Sequence, residues 1–276
     1  MLSPAELLTI ARQVTIEAGE LIVRLRAEGV QVAASKSSAE DVVTFADRQS
    51  EEFIRTRLAQ LRPQDGFFGE EGGADTGSSG LTWIVDPIDG TVNYLYGIPQ
   101  YAVSITVVEG EPNPATWTAL AGAVINPVLG ELYTAFKGGG AFLETGFLTS
   151  ATPTRQRLSI NPVTDMSLAL VGTGFAYSAE LRAQQAQVLT RLLPTVRDIR
   201  RAGAASLDLC WVAAGRLDAY YERDTKPWDH AAGALIAREA GAHVAGAKGA
   251  PEGQDFILAA HPELFDQLER VITETF

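Results

Sequence analysis

The residues best placed to do chemistry lie in Trp83-Ile84-Val85-Asp86-Pro87-Ile88-Asp89-Gly90-Thr91, an apolar run ending in two carboxylates, a proline, a glycine and a hydroxyl. An apolar stretch closed by turn residues reads as a strand, and strand ends are where α/β proteins carry ligand-binding groups. Pro87 restricts the turn, so Asp86 and Asp89 can converge on one point while the N–H groups of Gly90 and Thr91 face an anion. Paired aspartates at a strand end suit a hard cation such as Mg²⁺, bound through oxygen. The bland alternative is that both aspartates only cap a turn or a helix. Two further carboxylate groups weigh against it: Glu70 and Glu71 in GEE after a second short strand, and Asp229 in PWDHAAG at the start of a helix. Taken alone, Asp229 reads as an N-cap. Pro227, Trp228 and the small Ala231, Ala232 and Gly233 beside it allow a tightly packed site.

These groups need elements to hold them. Ser3, Pro4 and Glu6 fit a capping box with proline at the first helical position, and Leu7, Ala11, Val14, Ala18, Leu21 and Leu25 follow at helical spacing. A second helix is expected over 46–61, ending before Pro63. Short apolar runs bounded by turn residues then predict strands in GFFGEE, LTWIVDPIDG, QYAVSITVVEG, TALAGAVINP and GELYTAF. The small, polar stretch 72–80 reads as a flexible surface loop, and 137–140 as a tight turn between strands rather than a phosphate-binding loop. Later, SLALVGTGF, TVRDIRR, DAYYE and FILAA read as strands, with helices at 179–193, 204–214, within WDHAAGALIAREAG, and at 262–273. The alternation predicts an α/β chain, one domain over 1–276 with two α/β lobes meeting near 141–157.

Composition narrows the function. Lys+Arg 22 against Asp+Glu 34 gives a formal charge of −12, which disfavours direct binding to nucleic acid or anionic lipid. An anionic substrate would then need help from a metal. The first 25 residues lack a basic n-region and carry Glu6, Glu17 and Glu20, so neither a signal peptide nor a membrane span is expected. One cysteine, Cys210, offers no internal disulfide and reads as core, and three scattered histidines give no zinc spacing. His230 is expected at the surface or behind the site, and His243 and His261 are expected to be structural. The expected location is cytoplasmic.

In order along the chain, Lys36, DVVTFAD at 41–47, GEE at 69–71, WIVDPIDGT at 83–91, KGGGAF at 137–142, RRAGAASLDLC at 200–210, GRLDAYYE at 215–222 and PWDHAAG at 227–233 are similar to the inositol monophosphatase family. That family comprises magnesium-dependent, lithium-sensitive phosphatases. The resemblance implies a layered αβαβα sandwich like that of fructose-1,6-bisphosphatase, in which the two lobes form one continuous fold. It implies a metal set of Glu70, Asp86, the carbonyl of Ile88, Asp89 and Asp229, holding two or three Mg²⁺. It gives Thr91 and Asp47, with Glu70, the task of orienting and deprotonating a water, and Lys36 that of adding positive charge near the phosphate. Substrate contacts fall on Asp89, Gly90, Thr91, Gly203, Ala204, Ala205 and Glu222. A serine that contacts substrate in relatives has no secure counterpart, Thr173 and Ser178 both being candidates.

The function implied is hydrolysis of inositol-1-phosphate by a homodimer, with neither nucleic acid nor membrane as partner. Fructose-1,6-bisphosphate, NADP, histidinol phosphate and adenosine bisphosphate stay open as substrates. So does a regulatory role on the transcription machinery, which some bacterial relatives bind. A haloacid-dehalogenase-like mechanism with Asp86 as nucleophile fits poorly, because the two aspartates are one residue too far apart for its motif.

Overall fold

The structure is a computed structural model that describes residues 2–35, 42–147 and 153–274. Lys36 and the start of the DVVTFAD run at Asp41 lie outside the described residues.

The first helix, α1 (Pro4–Glu28), opens with the expected capping box: Ser3 Oγ accepts from the Glu6 N–H, and Glu6 accepts from the Ser3 N–H at 2.8 Å. Leu7, Ala11, Val14, Ala18 and Ile22 form its buried face. Leu21 and Leu25 are only half-buried, because the helical stripe continues through Ile22 instead. Strands β1 (Val32–Ser35) and β2 (Val42–Thr44) pair antiparallel and lead into α2 (Phe45–Leu61), which Thr44 and Asp47 close with a second capping box.

Among the described residues, eight strands form one sheet and five another. The first sheet contains β3 (Gly66–Gly69), β4 (Gly73–Asp75), β5 (Leu81–Asp89), then, after the short helix α3 (Thr91–Tyr96), β6 (Ala102–Glu109), β7 (Thr118–Asn126), β8 (Glu131–Phe136), β9 (Gly140–Thr145) and β10 (Thr154–Arg157). Their spatial order is β10-β9-β8-β7-β6-β5-β3-β4, antiparallel except between β3 and β5. Part of the stretch expected to be a loop is thus β4, an exposed strand paired to β3 through its backbone and tied to Arg55 of α2 through Asp75, which no hydrophobic pattern announces. The turn at 137–140 forms as expected, and Glu239 accepts from its Gly138 and Gly140 N–H groups at 2.7 and 2.8 Å.

The second sheet is built from β11 (Leu170–Thr173), then, after α4 (Ala179–Leu192), β12 (Asp198–Arg200), and, after α5 (Ala205–Ala213), β13 (Ala219–Glu222). Past α6 (Pro227–Glu239) it gains β14 (His243–Ala245) and β15 (Ile257–Ala260), and α7 (Pro262–Thr273) ends the described chain. Its order is β12-β11-β13-β15-β14. Both β9 and β10 belong to the first sheet, so the passage to the second sheet falls at 158–169, just past the junction expected at 141–157.

The layers follow from which faces are apolar. Helices α1 and α2 cover one face of the first sheet, burying Trp83, Val85, Ile105 and Ile125. Helices α5 and α6 fill the space between the sheets, with Leu207, Cys210 and Ile236 toward the first and Leu209, Val212 and Ala237 toward the second. Helices α4 and α7 close the far side, through Val188, Leu192, Leu264 and Leu268. The result is the expected αβαβα sandwich.

The six residues of α3 are too few for a helix stable on its own. Tyr94 ties it to α1: its buried hydroxyl donates to the Ile22 carbonyl at 2.8 Å, and its ring meets Tyr101 edge-on at 5.0 Å. Tyr94→Ala is expected to lower unfolding stability by about 3–5 kcal/mol, the range for emptying a buried aromatic site. Tyr94→Phe, which removes one hydrogen bond and keeps the ring, is expected to cost about 1 kcal/mol. Urea denaturation separates the two; equal losses would put the weight on the hydroxyl instead of the ring.

Candidate active site

Asp86 pairs with Ser104 across β5 and β6, and Asp89 pairs with Ala102. Three steps along β5 therefore match two along β6, so β5 carries one extra residue. In a regular strand, residues three apart point to opposite faces. The bulge cancels the odd step and turns Asp86 and Asp89 onto one face, the face that α5 and α6 cover. The turn expected at Pro87 is thus an extended bulge, and the sharp change of direction comes at Gly90, which adopts φ +87°. A Cβ there would stand 2.9 Å from the Gln100 carbonyl oxygen and 3.1 Å from that of Gly203, so glycine serves both the backbone conformation and the close approach. On the other side of β5, the last parallel pair is Gly69 with Val85, which puts Glu70 beside Asp86.

Each aspartate of the proposed metal set accepts a backbone N–H. Asp86 Oδ1 accepts from Ile88 at 3.0 Å. Asp229 is the third residue of α6, not its N-cap, and accepts from the Lys226 N–H at 2.6 Å. Asp89 Oδ2 accepts from both the N–H and the hydroxyl of Ser206, at 2.8 and 2.5 Å. Helix α5 has Ala204 at its N-cap and no side-chain cap of its own, so Asp89 acts as its cap from another sheet. Thr91 Oγ1 lies 3.0 Å from Asp47 Oδ1 and 3.1 Å from the Ile88 carbonyl, its one proton available to either. The other Asp47 oxygen accepts from the N–H and hydroxyl of Thr44, at 2.8 and 2.5 Å.

Burial dominates the electrostatics. It raises the carboxyl pKa of Asp47, pushes Asp89 to about 6, and lifts Asp229 well above the usual range, where Glu70 and Asp89 raise it further. It also pushes Glu222 to about 7 against the opposing pull of the Tyr220 hydroxyl and of Arg201. Every proposed ligand is an oxygen, and the buried negative charge is what a hard dication would relieve, so the donor set fits Mg²⁺ chemically. Among the described residues, however, no three His, Cys, Asp or Glu side chains are disposed to hold a metal ion together. The two observations fit one account: carboxylates that repel one another turn toward nearby N–H donors, and a cation would have to draw them inward.

The positions expected to meet substrate also gather here. Gly203 lies against Gly90, and Ala204 and Ala205 begin α5 beside it. Asn93 Nδ2 draws the surrounding loops together by donating to the Gln100 and Ala202 carbonyls at 2.7 and 2.9 Å. Of the two candidates for the missing serine, Ser178 is taken up as the N-cap of α4, and Thr173 ends β11 in a buried position. Gly174, next to Thr173, faces the Glu222 carboxylate.

Three residues escaped the sequence reading. Ser206 and Asn93 look like ordinary helix residues because their partners are remote in sequence, Asp89 being 117 positions from Ser206. Asp208 was legible in principle as a lone charge within the apolar run ASLDLC. It is 1% exposed, its Oδ1 has no hydrogen-bond partner, and burial, then Glu222 and Asp89, raises its pKa well above the usual range. His230 corrects the surface reading: it is wholly buried with both ring nitrogens unpartnered, and burial lowers its pKa to about 4. Cys210 is core, as expected, its thiol pKa raised by burial. His261 caps α7, and exposed His243 packs edge-on against Phe265.

The sequence profile of the inositol monophosphatase family matches residues 3–274. The chain belongs to this family. It is 45% identical to the inositol-1-monophosphatase of Mycobacterium leprae over 96% of this chain and 92% of that one. It is 39% identical to a Xylella fastidiosa protein named Nus factor SuhB, over 78% of this chain and 72% of the relative. Among solved structures, Mycobacterium tuberculosis SuhB superposes with a TM-score of 0.82 at 42% identity, covering 100% of this chain and 98% of that one.

Asp208 generates a stability prediction. An acid whose pKa is raised on folding keeps its proton longer in the folded state, so its contribution holds at low pH and is lost as pH rises above the ordinary aspartate value of 3.8. Asp208→Asn carries no such proton. In urea titrations without divalent cations, the variant is expected to gain on the wild type steadily from about pH 4 upward. Parallel stability curves would show that Asp208 ionises alike in both states.

Proposed function

We propose that the protein hydrolyses inositol-1-phosphate to myo-inositol and phosphate in a Mg²⁺-dependent reaction. The observation that carries this reading is the Asp47–Thr91 hydrogen bond at 3.0 Å, set directly behind the strand end where the bulge presents Asp86 and Asp89. Glu70, Asp86, Asp89, Asp229 and the Ile88 carbonyl would hold two or three Mg²⁺, which when bound supply positive charge to the phosphate and to the leaving oxygen and make water more acidic.

The chain's own groups do the rest. Thr91 Oγ1 orients a water and passes its proton toward Asp47, whose buried, raised carboxyl is suited to accept one, with Glu70 alongside. The water oxygen bonds to phosphorus as the ester P–O bond breaks, and the departing alkoxide takes up a proton. No side chain caps α3, so the N–H groups of its first turn would be the donors to phosphate oxygens. Gly203, Ala204 and Ala205 line the seat of the organic half, where Glu222 accepts from its hydroxyls. Lys36, outside the described residues, is given the supply of positive charge to the phosphate by the family resemblance alone.

The name of the M. leprae relative, inositol-1-monophosphatase, supports this reading. A related small-molecule phosphatase acting on fructose-1,6-bisphosphate, NADP, histidinol phosphate or adenosine bisphosphate would use the same groups. A regulatory role on the transcription machinery, in line with the name of the less similar X. fastidiosa relative, accounts for none of the buried carboxylates. The expected assembly is a homodimer in the cytoplasm. Among the described residues no helix is long and apolar enough to cross a membrane.

A panel of phosphate monoesters assayed with Mg²⁺ tests the substrate, and Asp86→Asn tests the chemistry. Losing one carboxylate of the proposed metal set is expected to cut turnover of inositol-1-phosphate about 100-fold while the folded protein persists by circular dichroism. Full Mg²⁺-dependent turnover by this variant would sink the assignment. Li⁺ accepts oxygen ligands like Mg²⁺ but carries half its charge, so it is expected to inhibit where Na⁺ at equal ionic strength does not, and more deeply as substrate rises. Identical inhibition curves for the two ions would withdraw the proposed metal set.

A further inference from the structure

Tyr220 and Glu222 are two residues apart on β13 and so share a face of the second sheet. Tyr220 is wholly buried on that face, packed with Leu209 and Val212 of α5, and its hydroxyl donates to Glu222 Oε2. Gly174, the first residue past β11, lies against the same carboxylate: a Cβ at 174 would overlap the Glu222 carboxyl atoms. The carboxylate therefore occupies the room that any other residue at 174 would fill, while a buried phenol holds one of its oxygens.

We propose that Tyr220 and Gly174 are positioning residues for substrate selection, fixing the Glu222 carboxylate in one orientation from which it accepts from a polyol hydroxyl. This rests on the reading of Glu222 as the acceptor for the organic half of the substrate. A glutamate side chain has several rotatable bonds, and a contact that must first order it is weaker than one made by a group already in place. The charged groups facing Glu222 are Asp208 from α5, Asp89 from the end of β5, Asp229 from α6, Asp224 after β13, and the cation Arg201 after β12. Four of these five are acids. The Tyr220 hydrogen bond therefore also favours the charged, accepting form of Glu222 against its surroundings.

The test compares steady-state kinetics of the full-length enzyme with Mg²⁺ on inositol-1-phosphate and on p-nitrophenyl phosphate, which has no vicinal hydroxyls. Tyr220→Phe keeps the ring in the core and removes the donor; Gly174→Ala keeps Tyr220 and fills the cradle. Both are expected to raise KM for inositol-1-phosphate about 5- to 10-fold with kcat within about twofold, and to leave KM for the aryl ester unmoved. In Tyr220→Phe, the pH at which binding of the polyol substrate improves is expected to move upward, a shift that lost packing alone would not produce. Glu222→Gln is the reference. If it raises KM for inositol-1-phosphate while Tyr220→Phe and Gly174→Ala leave KM unchanged, or raise it equally on both substrates, the positioning role is overturned and the reading of Glu222 survives. If Glu222→Gln has no effect, the reading of Glu222 fails and the proposal with it.

Discussion

The extra residue in β5 governs much of what surrounds it, because it places two carboxylates on a face that must also be covered by helices. Without the bulge, one of Asp86 and Asp89 would point into the layer of α1 and α2, among Trp83, Val85 and Ile105. With it, both look toward α5 and α6. Buried carboxylates need donors: Asp86 takes the Ile88 N–H of its own strand, and Asp89 takes the first turn of α5, where N–H groups have no partner within the helix. Asp89 meets Ser206 on α5, and Asp229 faces back onto the N–H of Lys226 at the start of α6. The negative charge of Asp89 and Asp229 thus lies where the helix dipoles favour it, and α5 is held against the first sheet at the end that carries Asp89.

That arrangement trades stability for chemistry. Asp47, Asp89, Asp208, Asp229 and Glu222 all have pKa values raised, each chiefly by burial. A core built for stability alone would hold apolar side chains there. On the proposed reading, cations held by these acids would let a chain with a formal charge of −12 attract an anion. Hydrogen bonds from Thr44, Ser206, Tyr220 and Thr91 favour the ionised forms but do not overcome burial.

The fold was largely legible in the sequence where signals are local. Ser3 with Glu6 marks the start of α1 by chemistry within one turn, and the alternation of apolar runs with helical stripes gives the α/β class, while the layer order comes from the family resemblance. The second capping box, Thr44 with Asp47, lies inside a motif quoted for its chemistry, and the structure assigns both residues to local structure as well. What stayed hidden depends on register or on remote partners. The bulge at Asp86 and Asp89 is visible only once β6 is paired beside β5, and β4 has no pattern beyond its backbone. Ser206 and Asn93 do their work across more than a hundred residues, and Asp208 acquires meaning only when Glu222 is beside it. The family resemblance pointed to Asp47 and Thr91 together, which spacing alone could not have done.

The capping of α5 by Asp89 also bears on how the molecule comes apart. A helix of nine residues with no side-chain cap of its own relies on a strand more than a hundred positions earlier, across the boundary between the two sheets. Loosening the end of β5 would release the first turn of α5, and with it the packing that α5 shares with α6 and β13. The two halves of the sandwich are thereby joined into one cooperative unit, and amide hydrogens at the start of α5 should exchange with solvent only as rarely as those of central β5. Separating the chain between the sheets would leave α5 without the carboxylate that caps it and Asp89 without its donors, so the continuity of the polypeptide is itself part of what keeps the site assembled.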